Sequence, residues 1–384
     1  IKQNILDKKL EIIIPPAVGY SLSILLNLCK TNTVSFRYYP RLFVITIINL
    51  INLPFRAYER LVINPRFEKI KIEEPPIFII GHWRSGTTHL HNLMCQDKQM
   101  GYTTTYQSVF PDTLFNFAGR FLFRNFTRLL IPGNRIGDNV KLDPSFPQEE
   151  EFALGDKTPI SFYYFWLFPK KINDFYRSFV QFKGIKQHEK EKWQNEYKLL
   201  IKKALKNTYG ARFLSKNPTN SGRIEVLLNM FPNAKFIHIH RNPIEVFLST
   251  RNFFNNMMPH LQLQSITQEE IDEHIFDTYK KLMNDIFHQE KSIPKGNIIN
   301  ISFNELEEYP EVVLETIYRE LNINGYQRAK PQFLNYINQS SGYKKNSHLI
   351  TKSDLKRIEK EYGFAMNKLD YKIPQNLEII DNIM

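Results

Sequence analysis

The chain has 384 residues, 42% hydrophobic and 23% charged, with 30 Phe and 19 Tyr. That length suits one large α/β domain or two small ones, and the apolar content excludes an intrinsically disordered chain. A formal net charge of +12 favours anionic partners. Cys29 and Cys95, the two cysteines, give neither a disulfide framework nor a spaced metal cluster and fit a reducing, cytoplasmic compartment.

The chain opens on Ile1 rather than Met, so residues upstream of it are expected. Apolar stretches over 17–28 and 42–53 come first, each about a dozen residues against the ~20 that span a bilayer. Arg37, Arg41, Arg56 and Arg60 flank the second. Residues 1–74 read as an N-terminal helical extension, whose 17–60 stretch either lies peripherally on an anionic membrane or packs on the main domain. Pro75 and Pro76 break it from a main domain over 75–384. Residues 76–81 (PIFIIG) form a buried strand ending at glycine. A helix follows over 87–96, and the β-branched run 101–106 (GYTTTY) reads as a second strand. From there to Lys186 the aromatic, Pro-rich sequence predicts loops and short helices shaping a cleft. Trp193, Tyr197, Leu200 and Ala204 recur at helical spacing over 189–209, and Gly210 ends that helix. A strand over 212–215, a helix over 221–230 and a strand over 235–240 (KFIHIH) come next. Pro243 opens another helix, and Thr267 with Glu270 forms a capping box for the one after it. A strand over 297–303 precedes a helix from Pro310 to about Leu321. Strands alternating with helices imply βαβ units around a parallel sheet.

The sharpest feature is GHWRSGTT over residues 81–88, between an apolar strand and a helix. In that setting a glycine-bearing loop wraps an anion with backbone N–H groups at a helix N-terminus. The spacing matches G-x-x-x-x-G-K-[ST], except that Thr87 stands in the Lys position. A kinase or NTPase loop needs that Lys for the β- and γ-phosphates, and an acidic residue on a neighbouring strand to help hold Mg²⁺. Here the strand over 235–240 runs into Arg241. The loop therefore reads as a site for a phosphate-bearing anion held by Arg and backbone, without a metal. Two other readings stay open: a P-loop-type phosphotransferase, and a catalytically inactive, membrane-associated scaffold that keeps the fold.

FIIGHWRSGTTHL resembles the 5′-phosphosulfate-binding loop of sulfotransferases that use 3′-phosphoadenosine 5′-phosphosulfate (PAPS), whose common form is P-[KR]-S-G-T-T. Trp83 stands where that form has Pro. The resemblance implies a P-loop-NTPase-like, three-layer α/β fold: a central parallel sheet flanked by helices, plus the N-terminal helical extension. It implies transfer of a sulfuryl group from PAPS to an acceptor hydroxyl, with adenosine 3′,5′-bisphosphate as product and neither metal nor nucleic acid as partner. The backbone of Ser85, Gly86 and Thr87, with the Thr87 and Thr88 hydroxyls, would hold the 5′-phosphate, and Arg84 would lie against the sulfuryl group. The family's second motif, a strand, then Arg, then Ser eight positions later, falls on Arg241 and Ser249 and would grip the 3′-phosphate; a guanidinium fork suits that task. Residues 213–218 (FLSKNP), with Gly222-Arg223 and FPNAK at 231–235, are similar to the bacterial and tyrosylprotein-sulfotransferase-like branch. In that branch the Lys of K-x-P lies at the active site, a place Lys216 occupies. FNEL at 303–306 resembles a Y-E-x-L element after a late strand. YKKNSH at 343–348, with Lys345, resembles a C-terminal element that can close over the nucleotide.

A general base is still required. Residues 147–151 (PQEEE) resemble a P-x-E-[DE]-E element at a helix start, and clustered carboxylates raise one another's pKa. Glu149 and Glu150 are the candidates, with no choice between them; an acidic first turn complementing the helix dipole is the plainer explanation. His82, inside the loop, is an alternative base. His238 and His240 share a strand face with no Cys or acidic neighbour to complete a metal site. The basic surface, the aromatic middle region and the apolar N-terminal stretches together point to a lipid-like alcohol as acceptor.

Overall fold

The computed structural model describes residues 15–130, 143–340, 349–375 and 377–381. Five strands, β1 (Ile77–Ile80), β2 (Met100–Gly101), β3 (Arg212–Lys216), β4 (Lys235–His240) and β5 (Ile298–Ser302), form one sheet in the order β2-β3-β1-β4-β5. Every pairing in it is parallel. A parallel sheet is covered on both faces, so its central strands are apolar throughout, and all four residues of β1 are buried. Ile77, Ile79, Leu214 and Ile237 pack with Leu90, Leu93, Leu314 and Ile317 on one face. Phe78, Ile80, Phe213 and Phe236 pack with Trp193, Tyr197, Leu200 and Leu227 on the other. That is the expected three-layer α/β arrangement. A third core, dominated by the aromatic run 162–168, joins the N-terminal helices to the helices Pro243–Leu261 and Gln268–Gln289. A short parallel pair, β6 (Leu349–Thr351) and β7 (Glu378–Ile380), stands apart from the main sheet.

Register fixes where chemistry can sit. β1 and β4 pair as Ile79 with Ile237 and Ile80 with His238, and β1 pairs with β3 as Ile79 with Lys216. Loop 81–86, Arg241 and Lys216 therefore leave the sheet together at its carboxyl edge, the usual ligand-binding side of an open parallel sheet.

Three sequence readings differ from the structure. The run 101–106 is not a strand: only Met100 and Gly101 pair with β3, and Thr104 then caps the helix Thr105–Val109 by accepting from Gln107 N at 3.2 Å. A capping hydroxyl outweighed β-branched propensity. The helix read over 221–230 begins instead as a 3-10 turn, Pro218–Gly222, and continues as Ile224–Met230. The apolar stretch 42–53 is the middle of a longer helix, Tyr39–Tyr58, which runs on through a π turn (Glu59–Ile63) to Glu68. Phe36–Glu68 is long and apolar enough to cross a membrane by length and composition. Pro54 did not stop it.

Arg56, one of the arginines flanking that stretch, is buried and donates to Gly19 O. Around it lies a buried ionic cluster. Asp112 meets Lys157 at 2.8 Å and Arg60 at 2.6 Å, with Arg56 at 3.7 Å, and Glu59 meets Lys203 at 2.7 Å. Burial alone would raise the Asp112 pKa; Lys157, Arg60, Lys203 and Arg56 instead hold it well below the ordinary carboxylate range.

Candidate active site

Loop 81–86 connects β1 to the helix Thr87–Met94, whose first amides have no intrahelical acceptor and point back into the loop. Gly86 has φ +98°, and a Cβ there would fall 2.2 Å from the Phe303 ring. Gly81 has φ +143°, and a Cβ there would fall 2.3 Å from Ile239 O. Only glycine fits either position, and both close approaches come from elements flanking the sheet edge. The Ser221 hydroxyl accepts from Gly81 N at 2.8 Å and donates to Gly81 O at 3.1 Å. The Ser85 hydroxyl lies 2.7 Å from His82 O and 3.0 Å from Ile239 O, so it braces the loop and leaves the backbone to face an anion.

The two motifs that the sequence marks for an anion come into contact. Arg84 Nε donates to Ser249 Oγ at 3.0 Å, and the Arg84 guanidinium lies 5.1 Å from the centre of the Phe253 ring. Arg241 pairs with Glu245 at 3.1 Å and stacks 4.7 Å over Phe303, the ring that presses on Gly86. Pro243 at the start of the helix Pro243–Leu261 sets Glu245, Ser249, Phe253 and Met257 one turn apart on a half-buried face.

On the other flank, Trp83 Nε1 donates to Tyr163 OH at 2.9 Å, Tyr163 OH donates to Glu149 Oε2, and Lys216 Nζ lies 2.5 Å from Glu149 Oε1. Two hydrogen-bonded runs, Ser249–Arg84 and Trp83–Tyr163–Glu149–Lys216, thus start from consecutive residues of the loop.

A family model described as the sulfotransferase family matches residues 75–328. The chain belongs to the sulfotransferase family. It is 28% identical over 329 residues to omega-hydroxy-beta-dihydromenaquinone-9 sulfotransferase Stf3 of Mycobacterium tuberculosis, spanning 85% of this chain and 83% of that one, with the same figures for Stf3 of Mycobacterium bovis. Among solved structures, sulfotransferase STF9 of Mycobacterium avium superposes with a TM-score of 0.69 at 17% identity, covering 94% of this chain and 93% of that one. STF1 of Mycobacterium tuberculosis gives 0.64 at 15%, covering 82% and 85%. These share the P-loop-like fold.

The enzyme is a PAPS-dependent sulfotransferase, as loop 81–88 led one to expect. The residues present fit that nucleotide: the amides of the glycine-bearing loop would take one end and Arg241 the other, and the loop itself carries no carboxylate. Among the described residues no group of three or more His, Cys, Asp or Glu could hold a metal.

The candidate site separates three consecutive carboxylates. Glu149 precedes the helix Glu150–Lys157 in extended conformation and keeps a side chain 12% exposed. Glu150, one residue on, is buried and accepts from Tyr197 OH at 2.6 Å and from Ser215 Oγ; burial raises its pKa. Glu151 takes Arg223 in a two-pronged pair at 2.6 and 3.0 Å, with Phe162 N at 2.8 Å and Asn217 Nδ2 at 2.9 Å. His82 is buried, its Nδ1 2.7 Å from Trp83 O and its ring 5.0 Å from Tyr279, and burial lowers its pKa to about 4. His238 and His240 are engaged with Asn300 and Tyr371 at 2.8 Å each. Thr87 is buried and Thr88 half-buried at the helix start. Lys345 lies outside the described residues. Sequence reasoning missed Tyr163, Phe253, Ser221 and the pairing of Glu151 with Arg223. No motif marked the first three, and only proximity in space reveals the fourth.

Proposed function

We propose that this enzyme sulfates the hydroxyl of a lipid-like amphiphile, with Glu149 as general base. The observation that carries the reading is that consecutive loop residues reach both flanks, Arg84 to Ser249 and Trp83 through Tyr163 to the Glu149–Lys216 pair. PAPS supplies the sulfuryl group. Ser85, Gly86, Thr87 and Thr88 would hold its 5′-phosphate end through amides and hydroxyls, and Arg241 with Ser249 the 3′-phosphate. Tyr163 and Lys216 each fix one oxygen of Glu149, so the carboxylate is oriented before it takes the acceptor's hydroxyl proton. Arg84 and Lys216 bring positive charge to the side from which the nucleotide departs. Of the three carboxylates, Glu150 and Glu151 are fully buried with their partners, whereas the Glu149 side chain is 12% exposed, which favours it for a proton transfer.

A lipid-like acceptor is supported by the substrate for which the Stf3 relatives are named and by the half-buried apolar side chains beside Ser249 in this chain. Phe253 and Met257 continue the Ser249 face toward the far end of their helix, where Arg41 donates to Pro259 O at 2.9 Å and to Gln262 O at 2.6 Å. Arg41 is itself part of the exposed apolar helix Tyr39–Tyr58. The enzyme would then be cytoplasmic and peripheral on the membrane through the 17–60 segment. Within that segment Ala17, Val18, Ile24, Leu25 and Leu28 are packed inside, so contact falls to the part from Phe36 onward.

The test is to supply ³⁵S-labelled PAPS to a lysate containing the wild-type or the Glu149→Gln enzyme and to partition the products. Label in the organic phase, present with wild type and absent with Glu149→Gln, is expected. Label confined to water-soluble peptide or sugar would overturn the acceptor class, and full activity of Glu149→Gln would overturn the base.

A further inference from the structure

The helix Phe117–Leu130 was not singled out by the sequence, and nothing in the reaction uses it. Asn116 caps it, its Oδ1 accepting from Gly119 N at 3.0 Å. Gly119 lets it lie directly on the N-terminal helix, where an added Cβ would sit 3.1 Å from Phe55 Cβ, and Phe123 meets Phe55 edge-on at 5.8 Å. Glu59 locks the approach by accepting from Asn116 N at 2.8 Å and from Phe115 N at 3.1 Å.

Both helices at this crossing show apolar side chains to solvent. Phe43 is 66% exposed, Val44 50%, Leu50 44% and Ile51 50%, while Phe117 is 88% exposed and Phe121 67%. No charged residue occurs between Arg41 and Arg56, which makes an apolar stripe roughly 20 Å long at helical rise. Contiguous patches of this extent on a soluble protein mark interaction sites. On the shorter helix, Arg124 and Arg128 emerge from the same side as Phe117 and Phe121, one turn apart.

We propose that the helix Phe117–Leu130 and the exposed side of the helix Tyr39–Tyr58 form one docking face for an anionic phospholipid bilayer. The proposal rests on the lipid-like acceptor above and names the surface from which that acceptor is taken. Aromatic side chains flanked by arginine are what an interfacial helix presents to acidic headgroups. The face lies in the plane of the bilayer and does not cross it. The opposite side of the long helix is fastened to protein by Asn49 to Ala17 O at 3.3 Å, Arg56 to Gly19 O, and Glu59 to Lys203 at 2.7 Å.

Sedimentation of the full chain with phosphatidylcholine vesicles, with and without phosphatidylglycerol, tests this. Binding is expected only to the anionic vesicles, and it should weaken at high salt. Arg124→Ala with Arg128→Ala should bind about 30-fold more weakly, at about fivefold per basic residue near the surface. Phe117→Ser with Phe121→Ser should also detach the enzyme while calorimetry shows unchanged affinity for adenosine 3′,5′-bisphosphate, which certifies the fold. Equal binding to neutral vesicles, or anionic binding untouched by the arginine variants, overturns the proposal. So does a stable dimer in solution that Phe121→Ser dissociates. If vesicle binding fails while organic-phase label still forms, the docking face falls and the acceptor reading stands.

Discussion

Glu149, Glu150 and Glu151 are neighbours in sequence and strangers in space. The helix starts between the first and the second, so Glu149 leaves in extended conformation toward Lys216 while the next two turn inward. Sequence could place an acidic element here but could not rank its members, because ranking depends on partners contributed by β3 and by the aromatic run after 160. The structure separates their expected effects. Glu149→Gln should lower kcat by about 10²- to 10⁴-fold, the usual range for a positioned base, with nucleotide affinity unchanged by calorimetry. Glu151→Gln should instead destabilise the fold by about 3–5 kcal/mol in chemical denaturation, because it strands the buried Arg223. Arg241→Ala should weaken binding of adenosine 3′,5′-bisphosphate by about ten- to a hundredfold, the loss of a charge-assisted hydrogen bond, and leave the denaturation midpoint nearly in place.

At the scale of elements, loop 81–88 was the most legible part of the chain because glycine spacing, flanking strand and following helix all reported the same thing. What could not be read was the pressure on it: Phe303, directly after the edge strand β5, occupies the space a Gly86 side chain would need. Gly86→Ala should therefore abolish nucleotide binding in calorimetry even where circular dichroism shows a folded protein. The N-terminal helix was half legible. Its apolar middle stood out, but its length did not, since Arg56, Glu59 and Arg60 look like the charged end of a surface helix and are in fact its attachment to Asp112 and Lys203. Asp112→Ala leaves Lys157 and the two arginines without their shared carboxylate and should cost about 3–5 kcal/mol, read as a shift in the denaturation midpoint.

Over the whole molecule, alternation of strands and helices gave the parallel sheet, but strand order comes only from tertiary packing, and of the strand read over 101–106 only Gly101 belongs to β2. Burial of uncharged imidazoles is likewise a property of the assembled molecule. Burial lowers the pKa of His82 and His238 from 6.5 to about 4, and of His91 to about 3. The unfolded chain thus takes up these protons first. The stability they contribute is whole above pH 6.5 and drains away as pH falls toward 4, by about 3 kcal/mol for each imidazole shifted that far. Thermal melts should show Tm falling through that interval, with a shallower slope in His238→Asn. One hydroxyl carries a different consequence. Ser221 secures the first peptide of the anion loop through both its N–H and its C=O, so the mould is cast before anything fills it. Capture of the nucleotide then spends no time waiting for the loop to organise, and Ser221→Ala should slow association in stopped-flow more than it speeds release.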